Sequence, residues 1–140
     1  MWGSIDFHQI LTAKTNEKAV SGRISDLINL DEFVTWQATH FGFRQKLISK
    51  ITVFNRPFHF RDEQLKSVFQ FIVHDHYFEQ QEGKVVMKYV FNFKSPFGIL
   101  RQVFNKLLLT NYLTKFLVKR NNLIKEYAEN TKWKPIFNDR

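Results

Sequence analysis

The sequence contains no cysteine, so neither a disulfide framework nor a thiolate metal site is available to it. It also lacks any apolar run of 18 residues, and no transmembrane helix is predicted. The opening residues MWGSIDFHQ show no basic region followed by an apolar stretch, so no secretory signal peptide is predicted. These absences favour a soluble protein, and we expect it in the cytoplasm.

Acidic residues are missing from the stretch between Phe93 and Ile124, although the chain as a whole carries a net charge of +8. The basic residues of this stretch are Lys94, Arg101, Lys106, Lys115, Lys119 and Arg120. A basic helix can meet nucleic acid or an anionic membrane, but it is also typical of a solvated helix face. We favour the solvated face, because zinc-finger spacing, an RNP-like motif and a glycine-rich phosphate loop are all missing. A nucleic-acid partner is therefore not expected.

Large apolar residues are plentiful, with 16 phenylalanines and a hydrophobic content of 44%. This content is enough for a packed core, and the length of 140 residues predicts one domain over residues 1–140. The excess of large rings indicates a sheet lined with aromatic side chains, or a roomy interior.

A period of two runs through the middle of the chain and predicts antiparallel strands. It is clearest where Val85, Met87, Tyr89, Phe91 and Phe93 alternate with polar residues. Residues 4–16 predict one or two helical turns, and QQEG at 80–83 predicts a hairpin turn. The predicted strands cover residues 34–41, 47–54, 57–65, 68–79 and 85–93.

A helical segment is predicted over about residues 97–129, with two apolar stripes on roughly opposite sides. One stripe is Leu100, Val103, Phe104, Leu107 and Leu108; the other is Leu109, Tyr112, Leu113, Phe116, Leu123, Ile124 and Tyr127. A break or sharp bend near Thr110 and Asn111 would let both stripes face one sheet, and the alternative is that one stripe faces a partner chain. The predicted class is therefore α+β, with a curved antiparallel sheet against a long C-terminal helix and a cavity between them.

Several segments keep the order and spacing of a known family, namely VTWQATHFG, LISKIT, RPFHFRDEQLKSVF, HDHYFE, SPFGIL and RNNLIKEYAE. Over about residues 4–129 the chain resembles a bacterial branch of the START-like, or SRPBCC, superfamily, whose members are described as ligand-binding or polyketide cyclase-like. The resemblance implies the helix-grip fold, in which a curved antiparallel sheet wraps around the C-terminal helix and encloses a deep apolar cavity.

Two features depart from this family. Its members begin with a β-strand ahead of the SIDFH segment, and here Met1 lies three residues before it. A sheet that lacks this strand has a bare edge, which predicts a homodimer or strand exchange through that edge. The family pattern also leads us to expect glycine where the chain has Asp31, at a turn.

The predicted site is the inward face of the sheet. Successive residues of a strand point to opposite faces of the sheet. If Lys50, Asp75, Glu79 and Lys88 face water, the residues that alternate with them on these strands face the helix. The predicted ligand-binding residues are Trp36, His40, Phe60, Asp62, His74, His76, Met87, Tyr89 and Phe91. The chemistry of this site rests on the three histidines and the one carboxylate among them, because buried polar groups need partners.

Four interpretations of this polar set remain open. The side chains can be satisfied by one another and by water, or they can orient a polar group of a ligand bound in the cavity. They can instead carry out acid–base chemistry, with Asp62 holding one imidazole tautomer. His74 and His76 can also bind a metal, with His40 or Asp62 completing the set, but the pattern does not fix which residue is the third ligand. Neither a metal nor a cofactor is therefore predicted. Trp36 can be plain core or part of a pocket wall.

The preferred hypothesis is binding of an apolar or amphipathic small molecule in the cavity. The alternative is a cyclase- or hydrolase-like enzyme that uses the same His and Asp side chains. Covalent catalysis is not expected, since the chain has no cysteine and neither Ser49 nor Ser67 has a base or elbow motif beside it. His8 and His59 receive no role.

Overall fold

A computed structural model describes residues 3–40, 42–66, 71–94 and 99–137 of the chain. Within these ranges it describes all side chains except those of His40, Lys66, Phe71, Lys94, residues 99–106 and Phe137. Phe41 and residues 68–70 of the predicted strands, and residues 97–98 of the predicted helical segment, lie outside the described residues.

The protein is α+β, with a six-stranded antiparallel sheet and a long C-terminal helix. The helices are α1 (Ile5–Leu11), α2 (Ile99–Glu129) and α3 (Lys134–Phe137), with 3₁₀ turns at Ala13–Thr15 and Thr131–Trp133. The strands are β1 (Lys18–Gly22), β2 (Phe33–His40), β3 (Phe43–Asn55), β4 (His59–Lys66), β5 (Phe71–Gln81) and β6 (Lys84–Lys94). The predicted α+β class is confirmed.

The strands pair in chain order, so the sheet is a meander whose edge strands are β1 and β6. The alternation of apolar and polar residues correctly identified β2 to β6. It missed β1, because nearly all residues of this short edge strand are exposed and no apolar period marks it.

The long helix α2 is continuous from Ile99 to Glu129, which rules out a break near Thr110 and Asn111. Leu109 and Ile124 of the second stripe are buried, whereas Leu107 of the first stripe is 71% exposed. The helix therefore keeps its backbone hydrogen bonds and leaves apolar side chains in water, which folded proteins tolerate on their surfaces. None of the helices in the described ranges is long and apolar enough to span a membrane.

The turn at Asp31 has a positive φ of 63°, which explains why glycine was expected there. Asparagine and aspartate adopt this left-handed conformation more readily than other non-glycine residues. The residue therefore fits the turn without altering the strands on either side.

Two buried clusters hold the helices against the sheet. One consists of Ile5, Ile28, Val34, Trp36 and Ile51. The other joins Phe7 and Leu11 of α1 to Ile124 of α2. Because α1 contributes to both clusters, it connects the sheet to the C-terminal half of α2.

Candidate functional site

A cavity of about 230 Å³ lies between the inner face of the sheet and helices α1 and α2. Its α2 wall is formed by side chains three or four residues apart, which therefore share one helix face. These are Leu109, Tyr112, Leu113, Phe116, Leu117 and Arg120. The sheet wall includes Val34, Trp36, Leu47, Ser49, Ile51, Phe60, Ile72 and Phe91. Most of the wall is apolar, so the polar side chains on it stand out.

The structure brings together most of the predicted site residues. The predicted residues that line the cavity are Trp36, Phe60, Asp62, His74, His76 and Phe91. Met87 is not among the lining residues and packs instead against the cluster of Phe7, Leu11 and Ile124. Tyr89 is also not among them, because its ring lies against those of the two histidines, 5.4 Å and 5.0 Å away. The side chain of His40 lies outside the described residues.

Asp62, His74 and His76 form a compact polar set, called here the His–Asp group. Asp62 on β4 lies opposite His74 on β5, and His76 follows on the same face of β5. His76 Nε2 and Asp62 Oδ2 share a hydrogen bond of 3.0 Å, and His74 Nδ1 lies 3.6 Å from the same oxygen. Strand register and period-two alternation therefore bring the three side chains together without help from any loop.

Aromatic side chains hold the two imidazoles in place. The Phe60 ring stacks on His76 at 4.1 Å, and the Phe91 ring meets His74 edge-on at 5.3 Å. The two imidazole centroids are themselves 3.9 Å apart. His74 and His76 are only 5% and 4% exposed. The group is thus a packed, rigid part of the wall.

Burial dominates the electrostatics of the His–Asp group. It lowers the pKa of His74 to about 3, although the charge of Asp62 opposes this shift. Burial also lowers the pKa of His76, with the charge of Arg120 acting in the same direction. The pKa of Asp62 is raised by burial, against the charges of His74 and Arg120. Both imidazoles are therefore neutral at pH 7, and their contacts with Asp62 are hydrogen bonds and dipolar contacts rather than ion pairs.

Arg120 is a buried cation on the cavity wall, and its assignment to a solvated helix face is wrong. Its guanidinium carbon lies 5.8 Å from the centroid of the Tyr89 ring. Its position could have been recognised from spacing, since Arg120 lies four residues from both Phe116 and Ile124 in the apolar stripe. The stripe thus places a positive charge where the neighbouring positions are hydrophobic.

Helix α1 adds a second pair of polar side chains that the sequence analysis left without a role. His8 lines the cavity and shares a hydrogen bond of 2.7 Å with Glu17, which also lines it. The His8 ring lies 4.3 Å from that of Trp36. The sequence could have indicated that His8 faces inward, because it lies three residues after the apolar Ile5 on a helix whose N-cap is Ser4.

On the outer face of the sheet, Asp75 does not face water as predicted, because it is only 3% exposed. Arg61 donates two hydrogen bonds to its carboxylate, of 2.8 and 2.9 Å. His59 approaches the same carboxylate at 2.7 Å and stacks on Tyr77 at 4.3 Å. Long side chains on the neighbouring strand therefore cover a charge that strand parity alone placed in solvent.

No protein-family model matches the chain, and no curated protein matches it. Among solved structures, it is similar to the crystal structure of TTHA0849 from Thermus thermophilus. The TM-score is 0.67 at 8% sequence identity, over 87% of this chain and 80% of that one. The two proteins share a fold.

Proposed function

We propose that the protein binds an apolar or amphipathic small molecule in the cavity, and that its fold is the helix-grip of START-like proteins. The observation that carries this proposal is the 230 Å³ cavity, whose largely apolar wall also holds the His–Asp group and the buried Arg120. Apolar walls with a few fixed polar groups are typical of small-molecule sites.

The size and chemistry of the wall set the kind of ligand. Drug-sized ligands occupy pockets of about 300–1,000 Å³, so a cavity of 230 Å³ suits a smaller molecule. Burial of its apolar surface supplies about 25 cal/mol per Å². A polar substituent on the ligand would accept a hydrogen bond from Arg120 or exchange one with the imidazoles. Such contacts orient the ligand, whereas apolar burial provides most of the affinity.

Blocking the cavity tests the proposal. Ser49 is buried on β3 and lines the cavity, so Ser49→Leu places a larger side chain in the space that a ligand would occupy. Lys46→Leu adds the same side chain at an exposed position on the other face of β3 and serves as the matched control. We expect Ser49→Leu to weaken binding of the apolar fluorophore N-phenylnaphthylamine at least about 10-fold, which corresponds to about 1.4 kcal/mol.

Lys46→Leu should bind the fluorophore like the wild type. Circular dichroism verifies that both variants are folded. Equal affinities for all three proteins would contradict the proposal, since the fluorophore would then bind elsewhere. Native mass spectrometry of freshly purified protein would identify a ligand retained from the cell.

We further propose that two copies of the chain associate through β6. This strand has 11 residues, and no strand of the described residues pairs with its outer edge. Val85 and Val86 are exposed on it. Antiparallel pairing of two β6 strands about a two-fold axis would satisfy the free backbone groups. Lys84 and Lys88 would add positive charge of the same sign from both copies, so added salt should strengthen the pair.

Light scattering coupled to gel filtration tests this association at micromolar concentration. We expect a dimer for the wild type and a monomer for Val86→Lys, which adds a charge to the pairing strand. Val20→Lys makes the same change at an exposed position on β1, the opposite edge, and should leave the dimer intact. A monomeric wild type, or a dimer lost only in Val20→Lys, would refute pairing through β6.

A further inference from the structure

The distances within the His–Asp group are close to those between the ligands of one metal ion. His76 Nε2 and His74 Nδ1 lie 3.0 and 3.6 Å from the same Asp62 oxygen, and one ligand atom from each residue lies within 4.8 Å of the other two. A cation about 2.1 Å from each ligand holds neighbouring ligand atoms about 3.0–3.4 Å apart. We infer that Asp62, His74 and His76 bind one divalent transition-metal ion on the cavity wall.

The ligand types select the class of cation. Two imidazole nitrogens and one carboxylate oxygen suit zinc, cobalt or ferrous iron. Magnesium and calcium prefer oxygen ligands throughout and are not expected to bind. Three protein ligands leave at least one position of a tetrahedral ion for water or another small molecule. The site does not depend on an organic ligand and therefore goes beyond the proposed function.

The ligands are already in place before a metal arrives. They sit on two neighbouring strands, and the rings of Phe60 and Phe91 restrict the imidazoles. In addition, His74 Nε2 is buried and has no hydrogen-bond partner among the described residues. A buried polar atom without a partner costs about 1–3 kcal/mol. When Nδ1 binds the metal, Nε2 carries the proton of the imidazole, so the partner that this nitrogen lacks is an acceptor such as water or a ligand in the cavity.

Arg120 limits the affinity, because this cation lines the same cavity and lies 5.8 Å from the Tyr89 ring, which contacts both imidazoles. The negative charge of Asp62 acts in the opposite sense. Removing the charge of Arg120 should therefore tighten metal binding. A substitution that merely disturbed the cavity wall would instead weaken metal binding.

Titration of the chelator-treated protein with Zn²⁺ alone and with Co²⁺ alone tests the site. We expect one equivalent of Zn²⁺ to bind in calorimetry, and Co²⁺ to give the visible absorption of a low-coordinate site with nitrogen and oxygen ligands. Loss of an outer-shell partner alone costs a metal site about 10–100-fold in affinity, so loss of a ligand should cost more than about 100-fold. His74→Ala and the near-isosteric His76→Gln should both show this loss.

His59→Ala is the matched control, since His59 also contacts an aspartate but lies on the outer face of the sheet. It should bind Zn²⁺ like the wild type, and Arg120→Gln should bind it more tightly. The absence of stoichiometric binding, equal losses in His59→Ala and His76→Gln, or weaker binding in Arg120→Gln would overturn the inference. If His74→Ala does not fold, His76→Gln decides the question.

The same titration separates this inference from the proposed function. Ser49→Leu alters the cavity but none of the three ligands, so it should bind Zn²⁺ normally while losing the fluorophore. Failure of metal binding with retained fluorophore binding would overturn the metal site alone.

Discussion

Replacing Phe7 by alanine is expected to lower the free energy of unfolding by about 4 kcal/mol, since large-to-small changes of a buried phenylalanine cost about 3–5 kcal/mol. Phe7 is only 1% exposed, and its ring meets that of Tyr127 edge-on at 5.3 Å. It also packs with Leu11 and Ile124. Truncation therefore leaves a cavity at the junction of α1 and α2.

Chemical denaturation with urea, followed by circular dichroism, measures this loss. Phe43→Ala is the matched control, because Phe43 is 71% exposed and surface changes usually stay within about 0.5 kcal/mol. Phe7→Ala should also weaken fluorophore binding, since α1 positions Ile5 and His8 on the cavity wall. A loss below about 1 kcal/mol would mean that α1 does not pack on α2 as described.

Asp75→Asn is expected to cost about 2–3 kcal/mol of stability at pH 7, the range for hydrogen bonds to a buried charged group. The amide cannot accept both bonds from the Arg61 guanidinium, and it lacks the charge that His59 and Arg61 face. Because Asp75 is almost fully buried, water cannot replace these contacts. Glu79→Gln changes an exposed carboxylate on the same strand and should have little effect.

The effect of Asp75→Asn should depend on pH in a known direction. Hydrogen bonds from Arg61, followed by those from His59 and the charges of both, hold the pKa of Asp75 below its ordinary value. A carboxyl whose pKa is lower in the folded state stabilises the protein above its unfolded pKa, and this stabilisation is lost as the pH falls through the folded pKa.

The stability difference between wild type and Asp75→Asn should therefore be full at neutral pH and shrink below about pH 4. Unfolding measured at several pH values with a chelator present checks this, because no metal then contributes. A difference that stayed constant down to pH 2 would show that the carboxylate charge is not what stabilises this face of the sheet.

The positions of His74 and His76 show most clearly what the sequence alone could predict. Residues two apart on a strand share a face because of backbone geometry, so the alternation in β5 was sufficient to place both imidazoles together. The same parity placed Asp62 and Phe60 on the inner face. Local alternation likewise identified β2 to β6, whereas the mostly exposed β1 has no such pattern.

Other features depend on contacts between residues far apart in the chain, and only the tertiary structure decided them. The register of β4 against β5 sets Asp62 opposite His74, and the packing of α1 brings His8 to the same cavity. Helix α2 stays continuous and turns Arg120 inward, although its opposite apolar stripes allowed a break and its basic residues indicated a solvated face. Alternation along a strand predicts which face of the sheet a side chain lies on. How deeply that side chain is buried depends on the residues that pack over it. The sequence therefore determined β2 to β6 and the inward histidines, and tertiary packing determined the charges and partners that surround them.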